Sequence, residues 1–144
     1  MPQESAPEGF DWVVAQSKCT AALMFDGLRT HVREDVQRRN GVLGRDDGWT
    51  FEFEEDGDDF EALRLTPGQG DAKGRATVRF ERHGRRIHVR GEDVDIDFTA
   101  IVATDGSGLC RFVVGEVMYS DWEIRRMALE ALFFEEPEDD EDEE

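Results

Sequence analysis

Lysine is nearly missing from this chain. Only Lys18 and Lys73 break an otherwise arginine-based set of 17 basic residues in 144. Cysteine is as scarce: Cys19 and Cys110 are the only two, far apart in sequence. That number excludes a disulfide framework of the small secreted kind, and the expectation is two buried, inert thiols in a reducing cytoplasm. No stretch approaches the ~18 consecutive apolar residues of a membrane span, and no basic-then-apolar start suggests a secretory signal. The three histidines, His31, His83 and His88, form no pair at metal-ligand spacing, so zinc through them and the cysteines would need a tertiary coincidence. Neither GxSxG nor a phosphate loop occurs. The run GQGDAKG at 68–74 has glycines and Lys73 but lacks both the spacing and the preceding apolar strand.

What the chain has in excess is acid. Its net charge is −18, and residues 135–144, EEPEDDEDEE, hold nine of the 35 acids. The other 134 residues, with 17 basic and 26 acidic side chains, carry −9. A run of like charges repels itself and offers nothing to bury, so 135–144 is expected to be a disordered acidic tail. Direct nucleic-acid binding is disfavoured, because phosphates need clustered Lys and Arg; a basic protein is the better partner. Ten Phe and three Trp within a 38% apolar composition are still enough for a core, and a chain of this length buries roughly two-thirds of its unfolded surface. The expected organisation is a flexible lead-in over 1–9, one domain over 10–134, and the tail.

A helical pattern begins near Asp11. Phe25, Leu28, Val32 and Val36 recur on one face, Gly27 weakens the case for a single unbroken helix, and Asn40-Gly41 suits a left-handed C-terminal cap. Trp49, Phe51 and Phe53 then alternate with Thr50, Glu52 and Glu54 at the period of a half-buried strand. The acidic loop 54–59 leads to a second strand, FEALRLT, before Pro67–Gly74 breaks the sheet.

From Ala76 to Val102 two turn signals propose a register. A two-residue turn at His83-Gly84 pairs Phe80 with Ile87 and Val78 with Val89. A second at Gly91-Glu92 pairs Val89 with Val94 and Ile87 with Ile96, and on the other face sets Arg90 against Asp93, His88 against Asp95 and Arg86 against Asp97. A further strand runs from Leu109 to about Tyr119. Ser120-Asp121-Trp122-Glu123 is a capping box that opens a helix to about Phe134. The fold class is therefore α+β: an N-terminal helix, an antiparallel meander of about five to six strands and a C-terminal helix, with the helices on one sheet face.

Several side-chain groups invite chemistry. Asp93, Asp95 and Asp97 share a strand face, yet Phe98 stands where a calcium loop needs its glycine, so an ion ladder with Arg86, His88 and Arg90 is preferred to a cation site. The loop 54–59 matches no ligand frame and reads as turn chemistry. Cys19 with His31 is the nearest thing to a nucleophile pair and lacks a reactive-thiol signature. No catalytic, cofactor or metal residue is assigned.

The apolar set of the last helix is too broad to cover one sheet face, which makes Trp122, Leu129, Leu132, Phe133 and Phe134 the candidate partner-binding residues. Arg79 and Arg82 join them as candidates to dock an acidic partner or the tail, because seven basic residues against one acid lie between Lys73 and Arg90. The layout is similar to that of cystatin-like domains and of small acidic secretion chaperones, without the latter's middle helix; the likeness carries no motif. The expected role is a non-catalytic adaptor, chaperone-like protein or inhibitor of a basic partner, with self-association as a homodimer through the last helix as a second use of that surface. The alternatives are a small-ligand module with a pocket between sheet and helices, or an enzyme on that scaffold.

Overall fold

The computed structural model describes residues 9–42, 48–67 and 74–135. The expected lead-in and acidic tail, Gly9 and Glu135 apart, lie outside the described residues, as does most of the break after Pro67.

The N-terminal helical pattern resolves into two helices. The first, α1 (Trp12–Ser17), is capped by Asp11, whose carboxylate accepts the Val14 amide. It ends before Thr20, whose hydroxyl accepts the Leu23 amide and starts α2 (Ala21–Asn40). The interruption therefore comes at a new N-cap and not at Gly27, which sits inside α2 with open space beside it. Gly41 does not form the expected left-handed cap, since its φ is −91°. Asn40 does the capping work sideways: its amide donates to the Phe51 carbonyl at 2.9 Å and accepts the Phe51 N–H at 3.0 Å. The helix end thereby satisfies backbone groups of an edge strand.

Seven strands form one antiparallel meander in chain order among the described residues: β1 (Thr50–Asp56), β2 (Asp59–Thr66), β3 (Gly74–His83), β4 (Arg86–Glu92), β5 (Asp97–Thr104), β6 (Cys110–Val114) and β7 (Val117–Tyr119). The α+β class and the shared helical face hold. The strand count exceeds the expected five to six because Gly115, at φ +64°, turns the chain inside the expected 109–119 strand and makes it a hairpin.

Both proposed turn registers are corrected. The β3–β4 turn is Gly84-Arg85, with Gly84 at φ +64° and His83 opposite Arg86, so Phe80 faces Val89 and Arg82 faces Ile87. Moving a turn by one residue moves each partner by two, so every side chain keeps its face. The β4–β5 register is shifted by four: Ile87 faces Ala100, Val89 faces Phe98 and Arg90 faces Asp97. The Gly91 N–H donates to the Ile96 carbonyl at 2.7 Å, and the Val94 carbonyl oxygen lies 2.5 Å from where a Gly91 Cβ would be. Only glycine admits that loop, in which Asp93 has φ +65°. The longer connection brings Phe98, Ala100 and Val102 into pairing on the core face, with Val94 and Ile96 packed against the core from outside the ladder. The cost is the expected ion ladder, of which His88 to Asp97, at 2.8 Å, is the pair that forms in altered register.

The core lies between the sheet and the two long helices. Phe25 lies tilted on Phe60 and Phe60 stacks on Phe80, with centroids 5.0 Å and 4.8 Å apart, and Leu28, Val32 and Val36 of α2 pack beside them. The last helix, α3 (Asp121–Phe134), has the expected capping box: the Ser120 N–H donates to Glu123 at 2.8 Å and the Glu123 N–H to the Ser120 hydroxyl. It buries Ile124, Ala128, Leu129, Leu132 and Phe133. At its C-terminus two buried guanidinium groups take the last carbonyls, Arg64 donating to Leu132 O and Arg39 to Phe133 O, each at 2.9 Å. Cations there also complement the helix dipole.

The two cysteines are not free thiols. Cys19, between α1 and α2, is joined to Cys110, the first residue of β6, with Cα atoms 5.4 Å apart. Their separation of 91 residues hid the pairing from the sequence, because tertiary proximity alone makes them neighbours. The bridge ties the start of the helical layer to the sheet.

Candidate protein-binding groove

Helices α2 and α3 run side by side over the sheet, locked by charge. Arg125 reaches both oxygens of Asp35 at 2.8 and 2.7 Å and bonds Asp121 at 2.6 Å, while His31 Nδ1 meets Asp121 at 3.0 Å. These part-buried contacts fix the spacing of the helices. Beside these contacts, and lined in part by Asp35 and Arg125, lies a groove of about 420 Å³, with Leu129 and Phe133 in its floor and Trp122, Val42 and Phe134 on its walls. Trp122 is 57% exposed, Phe134 45% and Val42 42%, whereas Phe133 keeps only 7% of its surface. Phe133 packs edge-on against Phe51, which makes it part of the core as well as of the floor.

The structure thus divides the candidate residues. Trp122, Leu129, Phe133 and Phe134 meet in one groove. Leu132 is fully buried and belongs to the core. Arg79 and Arg82 are elsewhere. Arg79 lies on the sheet face away from the helices, 2.7 Å from Glu81, 2.9 Å from Asp56, 3.6 Å from Glu61 and 3.8 Å from Asp59. Arg82 is at the β3–β4 tip, where its amide donates to Asp59 and its guanidinium to the Gly84 carbonyl. Val42 and the groove arginines Arg38, Arg39, Arg125 and Arg126 were missed. Val42 follows the helix end, outside any periodic pattern, and nothing in residue order brings arginines of two helices 85 or more residues apart to one groove.

A second concavity, about 360 Å³, lies on the outer sheet face among Glu61, Arg75, Thr77, Arg79, Glu81, Arg90 and Glu92. Hydrogen bonds from Arg90 and then Arg79 hold the Glu81 carboxyl down at about 2, and Glu81 in turn raises Arg79 and Arg90. A carboxylate so acidified is a poor general base. Asp105 is likewise held well below the usual carboxylate range by Arg111 and the Ser107 hydroxyl. The acidic loop 54–59 spends its groups on arginines: Glu55 on Arg33, Asp56 on Arg79, and the Asp58 carbonyl on Arg29. Among the described residues no group of three or more His, Cys, Asp or Glu side chains is arranged to hold a metal ion. With both sulfurs in the bridge, the thiol–histidine pairing has no thiolate to offer. No described helix is long and apolar enough to cross a membrane.

No protein-family model, no curated protein and no solved structure matches this chain.

Proposed function

We propose that this protein is a non-catalytic interaction module, an adaptor, chaperone-like protein or inhibitor, whose one α+β domain over residues 10–134 receives an apolar segment of a basic partner in the α2–α3 groove. The observation that carries this reading is the joint exposure of Trp122, Val42 and Phe134 around a floor made by Leu129 and Phe133. Large aromatic groups left in water beside a closed core are characteristic of association surfaces. The acidic segment that begins at the end of α3 adds the charge selectivity, drawing basic surroundings of the bound segment and repelling acidic competitors. The same negative charge disfavours nucleic acid. The Cys19–Cys110 bridge persists best in an oxidising compartment, so the cytoplasmic expectation loses the support it drew from free thiols. The redox state of the bridge in freshly alkylated cells tests the location.

Selection of displayed random peptides on the folded protein tests the function. Recovered sequences should pair bulky apolar anchors with Lys or Arg, and Trp122→Ala should weaken them at least tenfold. Peptides that bind independently of Trp122 would reject the groove as the site. A homodimer is the second reading, favoured by the same exposed residues. Light scattering at micromolar concentration separates the two.

A further inference from the structure

The sequence suggested Arg79 and Arg82 as a dock for the chain's own acidic segment, but Arg79 already faces four carboxylates. The groove offers a better match. Its lining contains four arginines, Arg38, Arg39, Arg125 and Arg126, against two acids, Asp35 and Glu130. Arg125 is committed to Asp35 and Asp121. Arg38 and Arg126 are held loosely: Arg38 stands 3.5 Å from Asp35 and 4.0 Å from Glu34, Arg126 stands 3.3 Å from Glu130, and both side chains are well over half exposed. Exposed pairs of this kind along one helix are easily exchanged for a denser array of carboxylates.

The chain arrives at the right place. The Glu135 N–H donates to Ala131 O, and Arg64 donates to the Glu135 carbonyl at 3.3 Å, which fixes the exit at the end of the groove beside Phe133 and Phe134. Residues 136–144 follow, with eight acids and Pro137. Nine extended residues reach about 30 Å. The 14 residues of α3 span about 21 Å, so the segment can run back along the whole groove.

Another basic cluster, Arg85 and Arg86 at the β3–β4 tip, lies seven or more residues along the sheet from Ala76, the partner of Arg64. That is about 23 Å on the strand rise alone. A tether that begins beside the groove gives the near site a local concentration in the millimolar range. The −10 of the remaining 135 residues is screened beyond about 8–10 Å.

We propose that residues 136–144 dock back along the α2–α3 groove of their own chain, with their carboxylates on Arg38 and Arg126, and that they screen the groove until a basic partner draws them off. The screening rests on the groove being the partner site; the docking does not.

The test compares the intact chain with a full-length variant whose eight acids at 136 and 138–144 are changed to Gln or Asn. Heteronuclear NMR at low salt should show the Trp122 indole N–H and the Arg38 and Arg126 Nε–H resonances shifted between the two. Salt at 0.5 M should move the intact chain's signals toward the variant's. The double substitution Arg38→Gln, Arg126→Gln should release the acidic amides to free-peptide positions. Unshifted groove resonances, shifts centred on Arg85 and Arg86, or shifts that grow with protein concentration would each overturn the docking. A neutral apolar peptide should bind the neutralised variant about tenfold more tightly than the intact chain. Equal binding to both would overturn the screening. Binding to neither would sink the partner-site reading, with the shifts still deciding the docking.

Discussion

On the outer face of the sheet Arg79 meets four carboxylates within 4 Å, and Glu81 meets Arg79, Arg90 and two histidines. On the helical side, among the described residues, Arg38 and Arg126 reach carboxylates of their own helices at 3.3 to 4.0 Å, and they share a groove with Trp122, Leu129, Phe133 and Phe134. The difference follows from geometry. Strand neighbours stand about 5 Å apart and project the same way, so charges of opposite sign on adjacent strands cancel at once. On the helices the cross-pair Arg125 with Asp35 forms, whereas Arg38 and Arg126 at the groove rim pair within their own helices. The saturated region is structure, and the unsaturated one is surface left for something else.

The sharpest way to break this contrast is inside the groove, between floor and rim. Phe133→Ala removes a core ring that packs on Phe51 and should cost about 3–5 kcal/mol in denaturant unfolding. A cost below about 1 kcal/mol would mean that the floor is not core. Opening the Cys19–Cys110 bridge comes next. Closing a loop with 91 residues of separation is worth on the order of 4 kcal/mol in the chain-entropy account. Since the bridge joins the start of α2 to β6, reductant should raise amide exchange in those two elements first and leave the Arg79 neighbourhood protected. Uniform loosening of both regions would argue against a local clamp.

A smaller effect is expected on the saturated face. Glu81→Gln removes a carboxylate that accepts from Arg79 at 2.7 Å and from Arg90 at 3.0 Å, and should destabilise by about 1.5–3 kcal/mol at pH 7. The pH dependence has a fixed sign. The Glu81 carboxyl is lowered to about 2 on folding, so its contribution is fully present above its unfolded value near 4.5 and is lost as pH falls from there toward 2. Unfolding measured between pH 5 and 2 should be steeper in the wild type than in Glu81→Gln. Parallel curves would show that another carboxylate carries the acid sensitivity.

The contrast between the two regions also explains what could be read from residue order alone. Helix positions followed from the 3.6-residue recurrence of Phe25, Leu28, Val32 and Val36, and the capping box at Ser120 and Glu123 formed as its spacing requires. The sheet faces were legible because alternation has period two. The register was not, because slips of two and four residues preserve that alternation: Phe80 faces Val89 instead of Ile87, and Val89 faces Phe98 instead of Val94. Gly91 looked like a turn residue, while its actual constraint is the approach of the Val94 carbonyl across a longer loop. Of the site, the surplus aromatics of α3 were visible, but which of them stay in water depends on the packing of α2. That packing rests on Asp35 with Arg125, 90 residues apart. The Cys19–Cys110 bridge was invisible for the same reason.

The smallest expected effect on stability is at the rim, and it decides whether the exposed aromatics serve binding. Trp122 and Phe134 keep about half of their surface in water, so Trp122→Ala with Phe134→Ser together should change unfolding by no more than about 1 kcal/mol, within the range of surface substitutions away from buried features. Phe134 also lies under the Arg39 guanidinium, 5.1 Å from its ring centre, and that cation–π contact sets most of the expected loss. Against this small change, binding of any peptide selected on the wild type should fall at least tenfold, since aromatic anchors dominate interface energetics. If the native protein is a dimer in light scattering, the same double variant should be monomeric and still folded by far-UV circular dichroism. A stability loss near that of Phe133→Ala would place Trp122 and Phe134 with the core and abolish the distinction between floor and rim. Unchanged stability combined with unchanged binding and mass would leave the rim as solvated surface, and the groove would then have no claim to a partner.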